Sequence, residues 1–109
     1  MPRAATTADV FNAIAETRRR DILVFLAGGE RSVTEIVDQF EMSQPSVSKH
    51  LRVLAGVGLV EAKREGQRVL YRTSADAIRP IHEWTGRFER FWTHQLLRVK
   101  ERAEQKGNG

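Results

Sequence analysis

Hydroxyl, amide and cationic side chains are concentrated between residues 43 and 52, where the sequence reads SQPSVSKHLR. Hydroxyls and amides donate and accept hydrogen bonds, and lysine and arginine add positive charge. This chemistry suits the base edges and phosphates of a DNA major groove. We expect base-edge contacts from Gln44, Ser46, Ser48 and Lys49, and phosphate contacts from Ser43 and Arg52.

These side chains need a helix with one polar and one apolar face. Ser43 is the predicted N-cap, because its hydroxyl can accept a hydrogen bond from a backbone N–H two or three residues later. Pro45 falls in the first turn, where its missing N–H has no cost. Gly56 and Gly58 predict the end of the helix. The apolar face is formed at helical spacing by Val47, Leu51 and Leu54.

A basic β-hairpin is predicted after this helix, over residues 59–73. Leu59 and Val60 begin one strand, residues 68–72 form the other, and residues 65–67 form a glycine-centred turn. Cations on both arms would let such a wing contact phosphates or the minor groove. We assign Lys63 to a phosphate, and we place Arg64, Gln67 and Arg68 at the wing tip. Arg72 adds a further cation to the second arm.

The excess of positive over negative charge is confined to this region. Residues 44–73 hold six basic and two acidic residues, and so account for the whole net charge of +4. Surface cations commonly do no more than solvate a protein. Their coincidence with the polar helix face nevertheless favours a nucleic-acid partner, here double-stranded DNA.

The same residues resemble the ArsR family of winged helix-turn-helix bacterial repressors. The resemblance rests on Ser43-Gln44, residues 47–51 (VSKHL), residues 58–60 (GLV), Gly66 and Tyr71. It implies a mainly α (α+β) fold, with five or six helices and a two-stranded β-hairpin wing. It also implies dimerisation through the first and last helices. His50 belongs to the recognition-helix pattern, and we expect it to pack or form hydrogen bonds.

The segments before the recognition helix are read as three helices of a single domain that spans residues 1–109. Thr7 or Asp9 is expected to cap the first helix after a flexible segment, residues 1–6. The resemblance places Glu16 as the cap of the second. Residues 18–20, three arginines, are expected to face solvent or pair with nearby carboxylates, with phosphate contact as the alternative. Ser32 and Glu35 form a predicted capping box for a third helix that ends at Phe40. A tight turn at Glu41-Met42 then completes a helix-turn-helix over residues 32–55.

Residues 75–104 are predicted to be a dimerisation helix, restarted at Pro80 and followed by a flexible tail, residues 105–109. Apolar and aromatic residues recur there at steps of three and four, a wider stripe than a chain of 109 residues needs for its own core. The alternative is that the stripe packs within one chain. The expected dimer interface consists of Phe11, Ile81, Trp84, Phe88, Phe91, Trp92 and Leu96.

Metal binding finds little support in the sequence. The chain has no cysteine, which excludes disulfides and thiolate ligands. The resemblance locates known metal sites near Ser32 and Thr34, and near Ala75, Ala77 and Phe88, and none of these supplies a strong ligand. His82 and His94 would lie about 18 Å apart along one helix. A site shared between subunits is therefore the only metal alternative, and we expect no cofactor.

We therefore predict a cytoplasmic, sequence-specific DNA-binding regulator, most simply a homodimeric (auto)repressor of a palindromic operator. One alternative is a winged-helix protein-interaction module without a specific operator. The other is a metal-responsive repressor with a histidine site between subunits. No catalytic constellation, secretory signal or membrane span is apparent in the sequence. An effector, if one exists, would be an unknown small molecule or protein.

Overall fold

The computed structural model describes residues 6–108 of the chain. Residues 1–5 and 109, which belong to the predicted flexible ends, lie outside the described residues. The elements in chain order are α1 (Thr7–Ala13), α2 (Thr17–Ala27), α3 (Val33–Phe40), α4 (Gln44–Gly56), β1 (Val60–Glu65), β2 (Arg68–Thr73), α5 (Ala75–Gly86) and α6 (Glu89–Asn108). Six helices with one antiparallel hairpin confirm the predicted fold class.

The chain divides into two compact units, Met1–Ile78 and Arg79–Gly109, with the division inside α5. Every apolar residue that is buried within the described chain belongs to the first unit. Its most deeply buried side chains come from α2, α3, α4 and the segment entering β1, so these elements share one core. They are Ile22, Leu26, Ile36, Val47, Leu54 and Leu59.

The start of α1 differs from the prediction. Its N-cap is Thr6, a residue of the predicted flexible segment, rather than Thr7 or Asp9. The Thr6 hydroxyl accepts a hydrogen bond from the Asp9 N–H at 3.2 Å, and the Asp9 carboxylate accepts one from the Thr6 N–H at 2.9 Å. Asp9 is therefore the third helical residue of a reciprocal capping box, the position at which an acid satisfies the cap's own N–H.

The end of α4 is fixed by a glycine in the left-handed region. Gly58 has φ +81, and its N–H donates to the carbonyl of Ala55 at 3.0 Å. The N–H of Leu59 donates to the carbonyl of Leu54 at 2.9 Å, and both of these side chains are fully buried. This is a Schellman motif with its apolar contact, and it directs the chain from α4 into the wing.

Two glycine substitutions at this end should have opposite effects. Gly58→Ala is expected to destabilise the fold by about 1–2 kcal/mol, because a Cβ is disfavoured in the left-handed region. Gly56→Ala is the matched control, since it lies in the last turn of α4 with open space around the added Cβ. It should stabilise the protein by up to about 1 kcal/mol. Urea unfolding of both variants measures the difference, and a neutral Gly58→Ala would contradict the motif.

The hairpin pairs Val60 with Thr73 at its base and Glu65 with Arg68 at its tip. Its two-residue loop has Gly66 at φ +65, the first loop position, where a type II′ turn needs glycine. One additional pairing has no counterpart in the sequence prediction: Arg31 and Tyr71 exchange backbone hydrogen bonds of 3.0 and 2.8 Å. The segment before α3 is thereby fixed along the edge of β2.

The helix break in the C-terminal segment lies elsewhere than predicted. Pro80 is inside α5, and the chain breaks between Gly86 and Glu89. Proline at the sixth position removes only one main-chain bond near the helix start, whereas Gly86 has low helix propensity. His82 and His94 therefore lie on separate helices, and the spacing of about 18 Å expected along one helix does not apply. α6 continues to Asn108, through most of the segment predicted to be a flexible tail.

Candidate nucleic-acid interface

α4 has an accessible polar face and, opposite to it, a buried apolar face. Ser43 is the N-cap, and its hydroxyl accepts a hydrogen bond from the Ser46 N–H at 3.3 Å. The side chains on the opposite side, Val47, Leu51 and Leu54, are at most 2% exposed. All six predicted DNA contacts of this segment remain accessible, with Ser48 half-buried and the others exposed: Ser43, Gln44, Ser46, Ser48, Lys49 and Arg52.

The turn before α4 sets the angle between the two helices of the motif. Glu41 ends α3 in the left-handed region, with φ 52 and ψ 42. The predicted tight turn is therefore present, although its central residue is glutamate rather than glycine. At the start of α3, the predicted capping box joins Ser32 and Glu35 through bonds of 3.1 and 3.3 Å. Both ends of α3 are thus defined, and α3 packs against α4.

His50 lies on α4 beside the start of α2, and its surroundings disfavour a positive charge on the imidazole. Desolvation lowers the pKa of its imidazole below the usual 6.5, and the nearby positive charge of Arg19 lowers it further. Its Nδ1 is buried and has no hydrogen-bond partner among the described residues. The packing role expected for this histidine agrees with these surroundings.

The wing presents its cations on two different faces. In an antiparallel ladder, paired residues share a face and successive residues alternate. Arg64 pairs with Val69, whereas the neighbouring Glu65 pairs with Arg68, so Arg64 and Arg68 project from opposite faces. The hairpin thus does not bring these two predicted tip contacts to the same side.

Two of the four wing arginines and lysines are already paired with carboxylates. Arg68 contacts Glu35 at 3.3 Å. Arg72 contacts Glu61 across the hairpin at 3.0 Å and approaches Glu30 at 4.0 Å. Among the described residues, the remaining two, Lys63 and Arg64, form no ion pair. The charge that the wing offers to phosphates is therefore smaller than its composition indicates.

Two of the three arginines at residues 18–20 have a structural role that the sequence does not reveal. Arg19 donates through Nε to the carbonyl of Ala13, and Arg20 donates to the carbonyl of Ile14 at 2.8 Å. These carbonyls lie at the C-terminal end of α1, where cations satisfy unpaired acceptors and the helix dipole. Glu16 is the N-cap of α2, as the resemblance implied, although its side chain makes no capping hydrogen bond within the described residues.

The second unit exposes many large apolar side chains. Trp84 and Phe88 are in edge-to-face contact, with ring centroids 5.2 Å apart. Of the predicted dimer residues, Phe11 and Ile81 are half-buried, and the others are between 38% and 70% exposed: Trp84, Phe88, Phe91, Trp92 and Leu96. Leu97 and Val99 on the same helix are also exposed.

Metal ligands are not clustered in the part of the chain that the structure describes. No group of three or more histidine, aspartate or glutamate residues within residues 6–108 could hold a metal ion. Over the same range, no helix is long and apolar enough to cross a membrane.

Comparisons with known proteins agree with this geometry. Residues 16–62 match the family described as "Bacterial regulatory protein, arsR family". The transcriptional repressor SdpR of Bacillus subtilis is 33% identical over 76 residues, which are 70% of this chain and 84% of SdpR.

Two solved structures resemble the fold. An ArsR-like transcriptional regulator from Rhodococcus sp. RHA1 superposes with a TM-score of 0.67 at 27% identity, covering 88% of this chain and 91% of that one. The homodimeric winged helix-turn-helix DNA-binding domain Mb0332 of Mycobacterium bovis has a TM-score of 0.64 at 33% identity, covering 82% and 93%. The chain therefore belongs to the ArsR family, whose members are DNA-binding transcriptional regulators rather than enzymes.

Proposed function

We propose that this protein is a homodimeric repressor that binds a palindromic operator, including one upstream of its own gene. The observation that carries the proposal is the division of α4 into a buried apolar face and an accessible polar face. A helix that merely packed in the core would not need exposed hydroxyl, amide and cationic groups along its first three turns. α4 is thus suited to entering a major groove, with α3 crossing the backbone.

The side chains on α4 divide by chemistry into base readers and phosphate contacts. Gln44 can form a paired donor and acceptor contact with adenine, and Lys49 can donate to guanine. Ser46 and Ser48 can contact either base type. Ser43 uses its oxygen as a cap acceptor, which leaves its O–H available to donate to a phosphate. Arg52, further along the helix, would bind the backbone, as would Lys63 of the wing.

The wing tip would lie at the neighbouring minor groove, where Arg64 and Arg68, on opposite faces of the hairpin, would meet phosphates on its two sides, with Gln67 between them. The base of the wing is fixed by a hydrogen bond of 2.7 Å from the Thr73 hydroxyl to the carbonyl of Leu23. Because phosphates carry no sequence information, we expect the wing to strengthen binding to all DNA.

Arg68→Ala should therefore weaken operator and nonspecific DNA alike. Removing one phosphate interaction should flatten the plot of log K against log salt by about 0.9, or about 1.8 for a dimer. Fluorescence anisotropy at several salt concentrations measures this slope. Arg72→Ala is the control, because Arg72 pairs with Glu61 near the base of the hairpin, away from the tip where Arg68 lies. A slope unchanged by Arg68→Ala would place Arg68 outside the interface.

Dimerisation is supported by the exposed aromatic surface of α5 and α6. Large exposed apolar patches are unusual on monomers and commonly form interfaces. The relative Mb0332 is homodimeric. A twofold dimer presents two copies of α4, and so favours an inverted repeat with half-sites about 34–36 Å apart.

Selection of bound sequences from a random duplex library tests this function. We expect the recovered motif to be an inverted repeat whose half-sites are separated by about one helical turn. Enrichment of a single unrepeated site would contradict the twofold arrangement. Absence of any enriched motif would contradict sequence-specific binding itself.

A further inference from the structure

The carboxylate of Glu35 joins two separate segments of the first unit, the start of α3 and the tip of the wing. Its Oε1 accepts a hydrogen bond from the Ser32 N–H at 3.1 Å and one from Arg68 at 3.3 Å. Its Oε2 accepts a hydrogen bond from Arg31 at 3.4 Å. The partners come from the cap of α3, the residue that extends the edge of β2, and the tip of the wing.

Two of these partners are fixed to the body of the protein. Arg31 is bonded through its backbone to Tyr71, and its guanidinium lies 4.9 Å from the ring centroid of Phe25. The Ser32 N–H belongs to the capping box of α3. Arg68 is the least enclosed of the three partners, because its side chain is 65% exposed and it begins β2 directly after the turn.

We propose that Glu35 is a positioning residue for DNA binding. In the free protein its carboxylate pairs with the Arg68 guanidinium, and a DNA phosphate must displace that carboxylate to bind Arg68. This inference rests on the proposed function. The cap keeps the Glu35 carboxylate at the start of α3, so it cannot follow Arg68 toward the DNA. The ion pair therefore opposes binding, and it does so equally for every sequence, since phosphate contacts are not sequence-specific.

The charge state of Glu35 agrees with such a role at neutral pH. The Ser32 N–H lowers the pKa of the Glu35 carboxyl below its usual 4.5, and the Arg31 side chain lowers it further. The carboxylate is thus ionised whenever DNA is bound near neutrality. The pair with Arg68 is exposed, so its strength is modest, and a phosphate can displace it.

Glu35→Gln tests the inference, because glutamine can still serve the capping box while it loses the charge. Removal of an exposed ion pair should raise affinity for operator and competitor DNA by about two- to fivefold. The gain over Arg68→Ala alone should shrink in the double variant Glu35→Gln/Arg68→Ala to the small general effect of removing one carboxylate. This coupling separates the ion pair from a general charge effect.

Asp38→Asn is the matched control, because it removes one exposed carboxylate from the same helix. It should give less of a gain than Glu35→Gln, and its effect should persist when Arg68 is absent. Thermal unfolding of each variant establishes that the fold is intact. Weaker binding by Glu35→Gln, or an equal gain with and without Arg68, would overturn the inference. Failure of the unaltered protein to discriminate any DNA would instead overturn the proposed function.

Discussion

Replacing Trp92 with glutamate is expected to convert the protein into monomers and to remove tight operator binding. Trp92 is 56% exposed on α6, within the apolar stripe that also includes Phe88 and Leu96. Loss of a buried tryptophan costs about 3–5 kcal/mol, and the substitution occurs twice in a symmetric dimer. We therefore expect dimerisation to weaken at least about 100-fold, since each 1.4 kcal/mol corresponds to a factor of ten.

Sedimentation velocity over a range of protein concentrations measures this change directly. His94→Glu is the control, because it introduces the same side chain two residues later, about 200° around the helix axis. It should leave the dimer largely intact. If Trp92→Glu remained dimeric at micromolar concentration, the aromatic stripe would not be the interface, and packing within one chain would be favoured.

Gln44→Ala and Ser48→Ala are expected to relax sequence preference without abolishing binding. Each variant removes hydrogen bonds to base edges, which contribute about 1–3 kcal/mol of discrimination. The ratio of operator affinity to nonspecific affinity should therefore fall by roughly 5- to 150-fold. The salt slope should change little, because the interactions with phosphates remain in place.

The quantity to measure is this ratio, taken from competition binding at one salt concentration. Gln39→Ala is a matched control, because Gln39 is an exposed amide on α3 that is not among the predicted base contacts. It should leave the ratio unchanged. Full discrimination by both α4 variants would show that other residues read the operator.

The elements around the candidate interface could be predicted because their signals are local. The capping hydroxyl of Ser43 and the left-handed glycines 58 and 66 act within a few residues of themselves. The family resemblance covered the same segment, and the fold class and the family are both confirmed.

Contacts between distant segments could not be predicted from the sequence. Arg68 and Glu35 are 33 residues apart, and no periodic pattern links a wing arginine to the cap of α3. Arg31 pairs with Tyr71 through a single residue, and one residue is too short to give an alternating strand pattern in the sequence. Arg19 is expected from the sequence to face solvent or pair with a carboxylate, yet its guanidinium donates to the carbonyl of Ala13 at the end of α1. In the contacts of Arg68 and Arg19, a long flexible cation finds an acceptor that only the folded chain supplies.

The position of the helix break shows the limit of reasoning from single residues. Pro80 is an unfavourable residue for a helix, but its cost is one hydrogen bond near the start of α5. The break occurs instead after Gly86. The histidine spacing deduced from an unbroken helix was wrong for the same reason.

Binding to the DNA upstream of its own gene tests the central claim most directly. The purified protein would be titrated against that duplex by fluorescence anisotropy, with excess nonspecific DNA and at several salt concentrations. We predict saturable binding that survives the competitor, with two chains per site. Binding abolished by competitor and moderate salt would contradict specific recognition of this operator, and would leave α4 and the wing as a generic basic surface.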